Sequence, residues 1–528
     1  MTGNSVPSRD RVAEKLVARR GRSMLALGRL EARLAVRHPV TIVAVLSFVG
    51  LCVYALLIGG ANSYPVLQDE DRWIQYPVMV LLGGAALVVG NLAVLRGHRH
   101  GTTAAQGVLV LPVPWRVGAH LLAVLLFGGL ATVLVLIWAV VMSAAPGAAG
   151  RMNPYELMSG PMVVVLLGAL GVLLGQLFRS LFVAPLTLLG LAVATGAYSS
   201  PDAPGNPWLG WFLPVAAQRD PMPLPTHLLA RPAAWHLGYL AGVLVLVIVA
   251  ALFRAGGRRV GAAAVVGLLL AVGGGVGQVT APGDEVVADR ILASRDPARQ
   301  QTCVAVDQVR YCVFPDFVAW VDGWDAVLRA VLLRVPPAEA RRPMAVRQRV
   351  WAHGYLHGGS VVTPRQQQLR AATWRAGDLA AGTPNTVTVG TRWGEGEYEL
   401  GLAALVAYEV LAREGAGVFG TLCGARAVLV GWLAGQASPG AATALREMQA
   451  RNVEGAHLGE PSFGSGVTLP AQELALVVSL LDRPVEVVAA AVLRSWAELS
   501  RIDTVTGRAG EILGVPVPSA PADAGCLA

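Results

Sequence analysis

His353 and His357 stand four residues apart, the spacing at which two imidazoles on one helix turn reach the same metal ion. Gly354, Gly358 and Gly359 weaken a helix at that place, and no third ligand is evident, so ordinary surface histidines are expected and no metal site. Cys303 and Cys312 offer a second chemistry. They bracket VAVDQVRY, which reads as two short strands around an Asp307-Gln308 turn. Counted outward from the turn, the cysteines face each other at the fourth pair, a non-hydrogen-bonded one whose short Cα separation suits a cross-strand disulfide. Such a bridge belongs in an oxidising, extracytoplasmic compartment; two unpaired thiols in a reducing cytoplasm are the alternative. Cys52 lies in an apolar run, Cys423 in an apolar helix and Cys526 in the tail, so none suggests a metal cluster. No G-x-x-x-x-G-K-[ST] phosphate loop and no set of nucleophile, base and orienting group is visible, so neither catalysis nor a cofactor is expected.

The elements around these residues are dominated by apolar sequence. The 528 residues are 54% hydrophobic and only 14% charged, with a mean hydropathy of +0.54, too apolar for a chain that must cover its whole surface with polar groups. The net charge of +8 is carried by arginine, Lys15 being the only lysine. Arginine clusters at the edges of apolar runs, where it meets lipid headgroups, and nucleic-acid binding is not expected.

Runs of spanning length occur at roughly 39–60, 74–95, 118–145, 161–178, 181–198, 236–253 and 260–281, each sufficient for a hydrocarbon core that needs about 20 residues. Basic residues fill the segment before the first run, the loop after the second (Arg96, Arg99, Arg116), the turn at Arg179 and the stretch Arg254 to Arg259. The loop after the first reads Asp69, Glu70, Asp71, Arg72. This alternation places the N-terminus in the cytoplasm of a multi-pass protein of the cell membrane. The spans themselves look free of charge, with Asn91 and Gln176 as polar exceptions expected to form interhelical hydrogen bonds, which disfavours an ion-coupled transporter. If 260–281 spans, everything from 282 onward is extracytoplasmic; if that Gly-rich run lies on the surface or re-enters, the domain is cytoplasmic. Ahead of the first run, Leu27, Leu30 and Leu34 recur at helical spacing while Arg29 and Arg33 fall largely opposite, the pattern of an interfacial helix.

QGVLVLPVP, Gln106 to Pro114, resembles the T-x-E-x-L-L-S-L-P-V-S stretch that follows the second span in type-2 ABC exporter permeases. Leu109, Leu111, Pro112 and Val113 sit at its apolar and Pro-Val positions, whereas Gln106 replaces the usual Glu and the Thr is displaced to Thr103. The order of parts over 15–255 is similar too: an interfacial helix, two spans, a loop, three spans with a very short fourth-to-fifth turn, an outer loop and a sixth span. The resemblance implies a coupling loop at 97–117, including Arg116, that docks on a separate ATP-binding subunit. It also implies a second permease subunit completing the pathway, with lipid around both. The substrate is not legible.

From Pro282 the texture is mixed, with helices expected at 320–333, 338–352, 398–414, 421–437, 438–451 and 470–500. AYEVLARE (407–414) followed by GWLAGQA (431–437) faintly resembles the HExxH helix and downstream acidic helix of gluzincin metallopeptidases. Tyr408 and Ala412 stand where the two histidines would be and only Glu409 matches, so no zinc can be held.

The expectation is a mainly α protein: a tail and interfacial helix at 1–38, a six-span permease-like domain at 39–255, a seventh span within 256–281, and a mostly helical extracytoplasmic domain with a small β-hairpin at 282–528. Its function would be that of the membrane subunit of an ATP-driven exporter. The alternative is a membrane-anchored binding or sensory protein with a non-catalytic soluble domain.

Overall fold

A computed structural model describes residues 9–58, 63–99, 101, 111–199, 207–216, 222–281, 283–351, 364–412, 419–452, 454–460 and 463–517. The chain forms two compact units that divide between Asp284 and Glu285, except that 146–150 and 220–229 belong to the second. It is mainly helical, and among the described residues six helices are long and apolar enough to cross a membrane.

In the first unit α1 (Arg9–Val36) leads into α2 (Pro39–Leu57), and the joint is fixed by Thr41 Oγ1 donating to Ala35 O at 2.7 Å. The acidic stretch after α2 is not a loop: it is α3 (Leu67–Trp73), continued through Gln75–Pro77 and a π-helical turn Val78–Gly83 into α4 (Gly84–Arg99). Pro77 has no N–H for the ladder, and the wider π turn beside it lets the helix continue. Next come α5 (Val113–Ser143), α6 (Pro154–Leu177), α7 (Val183–Ser199), α8 (Ala233–Arg254) and α9 (Gly261–Thr280). At 17 residues α7 is shorter than the six long apolar helices.

Glycines set the helix spacing. On α6, a Cβ at Gly171 would lie 2.1 Å from Leu87 O of α4, and one at Gly168 would lie 2.5 Å from a Val124 methyl of α5. The α8/α9 seam is built alike, Gly242 against Ala271 N at 2.2 Å and Gly274 against Tyr239 N at 2.4 Å. The Gly-rich run that made 260–281 look weak as a span is therefore its packing face. Gly171→Leu is expected to force α4 and α6 apart and abolish the monodisperse peak of the detergent-solubilised chain in gel filtration; an unchanged profile would refute the close approach. Away from these seams much of the helix surface is bare: Val43, Leu46 and Leu57 of α2 and Leu269 of α9 are all more than half exposed. Water does not tolerate an apolar surface of that extent, whereas lipid does.

The second unit opens with α10 (Asp284–Arg295) and the hairpin β1 (Thr302–Val306) and β2 (Val309–Val313). Its turn places Asp307 at φ +53°, Val306 faces Val309, and Cys303 faces Cys312 with Cα atoms 4.0 Å apart and sulfurs bonded. The hairpin is larger than its sequence suggested. After α11 (Val321–Leu332) comes β3 (Met344–Gln348), parallel to β2; after α12 (Pro364–Ala380) comes β4 (Thr386–Val389), parallel to β3. The helix expected over 338–352 is thus wrong: a short turn Pro337–Ala340 is followed by a fully buried strand. Helices α13 (Glu397–Ala412), α14 (Gly424–Gly435), α15 (Pro439–Arg451) and α16 (Ala471–Leu481) pack with a second sheet in the order β5 (Phe419–Thr421), β7 (Ser465–Pro470), β6 (Gly455–Glu460). Two sheets, not one small hairpin, accompany the helices. Pro484 breaks the expected 470–500 helix, and α17 (Val485–Arg494) and α18 (Thr506–Leu513) close the unit. Phe317, Trp320 and Trp324 are fully buried, with ring centroids 4.7 and 6.5 Å apart in sequence, and supply much of its core.

Candidate functional site

Gln106 and Leu109 of the expected coupling loop, and His353 and His357, lie outside the described residues. Leu111 precedes α5, Pro112 occupies its N-cap and Pro114 its first turn, where a missing N–H costs nothing. Val113 is about half exposed, and Arg116 donates its backbone N–H to Pro112 O at 3.2 Å. On α1 the side chains of Leu30 and Leu34 are exposed, as are Arg29 and Arg33, while Leu27 is half-buried. The inward face is Gly28, Glu31 and Ala35, because a Cβ-free Gly28 lets α1 lie against Ala119 of α5. Leu30 thus points away from the bundle, while Leu27 and Leu34 lie at the edge of the packed face.

A buried polar cluster joins three segments of the first unit. Arg231, just before α8, donates from Nη2 to Gln68 O at 2.8 Å and to Asp71 Oδ1 at 3.0 Å, and its Nε lies 3.7 Å from Glu156 Oε1. Asp71 Oδ2 accepts from Asn153 N at 2.9 Å, and Gln75 Nε2 donates to Glu156 Oε2 at 2.6 Å and to Asp71 O at 3.1 Å. The side chains of Asp71, Glu156 and Arg231 are at most 3% exposed. Two carboxylates thus share one guanidinium, while Arg231 Nη1 and Gln75 Oε1 have no hydrogen-bond partner among the described residues. This corrects the expectation of charge-free spans: α3 carries Asp71 into the helix that continues as α4, and α6 starts at Pro154, seven residues earlier than its apolar run, so Glu156 is internal. Asp71 and Gln75 stand at i, i+4, a same-face signal that the surrounding Asp and Glu residues masked. The cluster can clamp the three segments together; its side chains are Asp, Glu, Gln, Asn and Arg, with no hydroxyl, thiol or imidazole among them. The two polar exceptions also behave otherwise than expected. Gln176 donates within its own helix to Val172 O at 3.4 Å, and buried Asn91 makes no side-chain hydrogen bond among the described residues.

The second unit holds a denser set of cations. Arg347 Nε and Arg349 Nη2 of the β3 segment donate to the two oxygens of Asp378 on α12 at 2.8 and 2.5 Å. Arg347 also reaches Gln301 Oε1 at 2.9 Å and Thr383 Oγ1 at 3.1 Å. Arg370 lies 5.3, 5.1 and 5.5 Å from the rings of Trp351, Trp374 and Phe463 and donates to Phe463 O. Burial pulls the Arg349 and Arg370 guanidiniums down to about 10, Asp378 partly offsetting this at Arg349, so both stay charged at neutral pH. Glu409 and Tyr408 are buried on α13, and among the described residues no group of three His, Cys, Asp or Glu is placed to hold a metal ion. Cys423, at the N-cap of α14, is disulfide-bonded.

Comparison with protein-family models, curated proteins and solved structures finds no match to this chain.

Proposed function

We propose that the chain is a multi-pass membrane subunit of an ATP-driven exporter whose ATPase is a separate chain docking at the connection between α4 and α5, and whose second unit is an extracytoplasmic cap. The resemblance of the 106–114 stretch to type-2 exporter permeases and the order of α1 to α8 support the transport part.

The topology rests on parity. Within the second unit, Trp320 Nε1 donates to Gly147 O at 2.7 Å, Gly150 N to Asp316 O at 2.9 Å and Thr391 Oγ1 to Pro223 O at 2.6 Å. The α5–α6 connection, the segment before α8 and the residues after α9 therefore belong to one side of any membrane. Counting crossings from α2, these three fall after three, five and seven helices, on the same side only if both α7 and α9 span. Seventeen residues at 1.5 Å each give α7 about 25 Å, at the short end of what a bilayer accepts. The bridge Cys303–Cys312 and the second disulfide-bonded cysteine, Cys423, favour the outside for that face.

Two measurements test this reading. In intact cells an impermeant maleimide should label Cys303 and Cys312 only after reduction; labelling that needs lysis would put the unit in the cytoplasm. The tagged chain taken from native membranes should bring down a protein identified by its peptides as carrying a phosphate-binding loop, and Val113→Asp should break that association. Recovery with no such ATPase, under conditions that keep the chain folded, would sink the exporter assignment.

A further inference from the structure

The joint of α1, α4 and α5 encloses a cavity of about 130 Å³. Its wall is apolar, formed by Val89 and Ala93 of α4 and by Val124 and Phe127 of α5. Its rim is ionic. Glu31 of α1 holds Arg96, whose Nη1 lies 3.1 Å from both carboxylate oxygens, and His120 Nδ1 stands 3.9 Å from the same carboxylate with no hydrogen-bond partner among the described residues. Arg99 also lines the rim, is exposed, and makes no ion pair among the described residues. With Glu31 spent on Arg96, Arg99 gives the rim a positive charge that no carboxylate among the described residues offsets.

We infer that this cavity binds the anionic headgroup of a membrane amphiphile, its phosphate or carboxylate at Arg99 and His120 and its first acyl carbons against Val89, Ala93, Val124 and Phe127. Charge selects the anion, since an arginine fork matches a phosphate or carboxylate in shape and sign. Size and wall select the amphiphile: a space of about 130 Å³ walled by Val89, Ala93, Val124 and Phe127 takes a small anionic group together with the first carbons attached to it. A free inorganic anion has no use for four apolar walls. Leu34, which lines the mouth and is 44% exposed, leads outward to the bare apolar side of α1 and α2, where the rest of the chain would lie. The site rests on the membrane reading but not on an ATPase partner, and it is tested on this chain alone.

Full-length protein in a neutral detergent is titrated with short-chain phosphatidylglycerol, with phosphatidylcholine of equal chain length and with inorganic phosphate, and binding is counted by native mass spectrometry. Phosphatidylglycerol should bind at least about tenfold more tightly than phosphatidylcholine, and Arg99→Gln should erase about tenfold of that preference, the worth of one charge-assisted hydrogen bond. Arg99→Lys should restore part of it. Ala93→Phe, which fills the cavity, should abolish binding of both lipids; because that variant could unfold the bundle, the exposed Arg99 pair carries the decision. Equal affinity for the two lipids, or a preference untouched by Arg99→Gln, overturns the assignment. Displacement of phosphatidylglycerol by millimolar inorganic phosphate also overturns it, because the site would then belong to the free anion.

Discussion

Arg231→Met is expected to remove about 3–5 kcal/mol from the first unit, the usual cost of stripping the partner from a buried ion pair. The side chain is nearly fully buried, and without it Asp71 and Glu156 face each other across Gln75 with no cation to hold them. In a unit of this size that loss should lower the detergent melting midpoint on the order of 10 °C. The compensated variant Arg231→Met, Asp71→Asn, Glu156→Gln should recover most of it, because replacing a whole buried ionic set by neutral groups is often close to neutral. If Arg231→Met melts within about 2 °C of the parent, the cluster is hydrated instead of buried and cannot clamp α3, α6 and the lead into α8.

The same cluster shows what the sequence could and could not convey. The seven apolar stretches were legible because helix length and hydropathy are local properties: α2, α7, α8 and α9 fall within a few residues of their apolar runs. The polar ends of the helices were not. Asp69, Glu70, Asp71 and Arg72 look like a hydrated loop, and only Arg231, some 160 positions away, makes a buried helical Asp71 tolerable. The cross-strand cysteines were legible because strand alternation and a two-residue turn fix register without reference to the rest of the chain. On α1 the leucine spacing correctly marked a helix, but the face that packs was chosen by Gly28, whose value lies in what it lacks. The helix-like pattern over 338–352 misled for a related reason. Arg347, Gln348 and Arg349 are polar in type and break the apolar run a buried strand would show, yet β3 lies between β2 and β4 with every residue covered. Gln348 settles the backbone on both sides, accepting from Phe314 N at 3.1 Å and donating to Gly390 O at 3.1 Å. Of the exporter-like coupling stretch only the start of α5 is described, so its partner surface stands on sequence alone.

Asp378→Asn is the counterpart in the second unit and should be as costly, about 3–5 kcal/mol, because it leaves Arg347 and Arg349 desolvated with their shared carboxylate gone. The loss should be local at first. Asp378 is the tie between α12 and the β3 segment, whereas α13 and α14 pack through apolar side chains far from that charge in kind. Hydrogen exchange read by mass spectrometry should therefore show faster exchange of amides 344–348 while α13 and α14 keep their protection. Removing all three charges together, Arg347→Met, Arg349→Met and Asp378→Leu, should restore slow exchange in β3 if shape and satisfied charge are what the strand needs. Unchanged exchange in Asp378→Asn would mean that the guanidiniums draw their compensation from elsewhere in the unit. Uniform loss of protection would mean that β3 and the helices unfold as one. Either outcome would break the link between this ion cluster and the strand whose sequence disguises it as a helix.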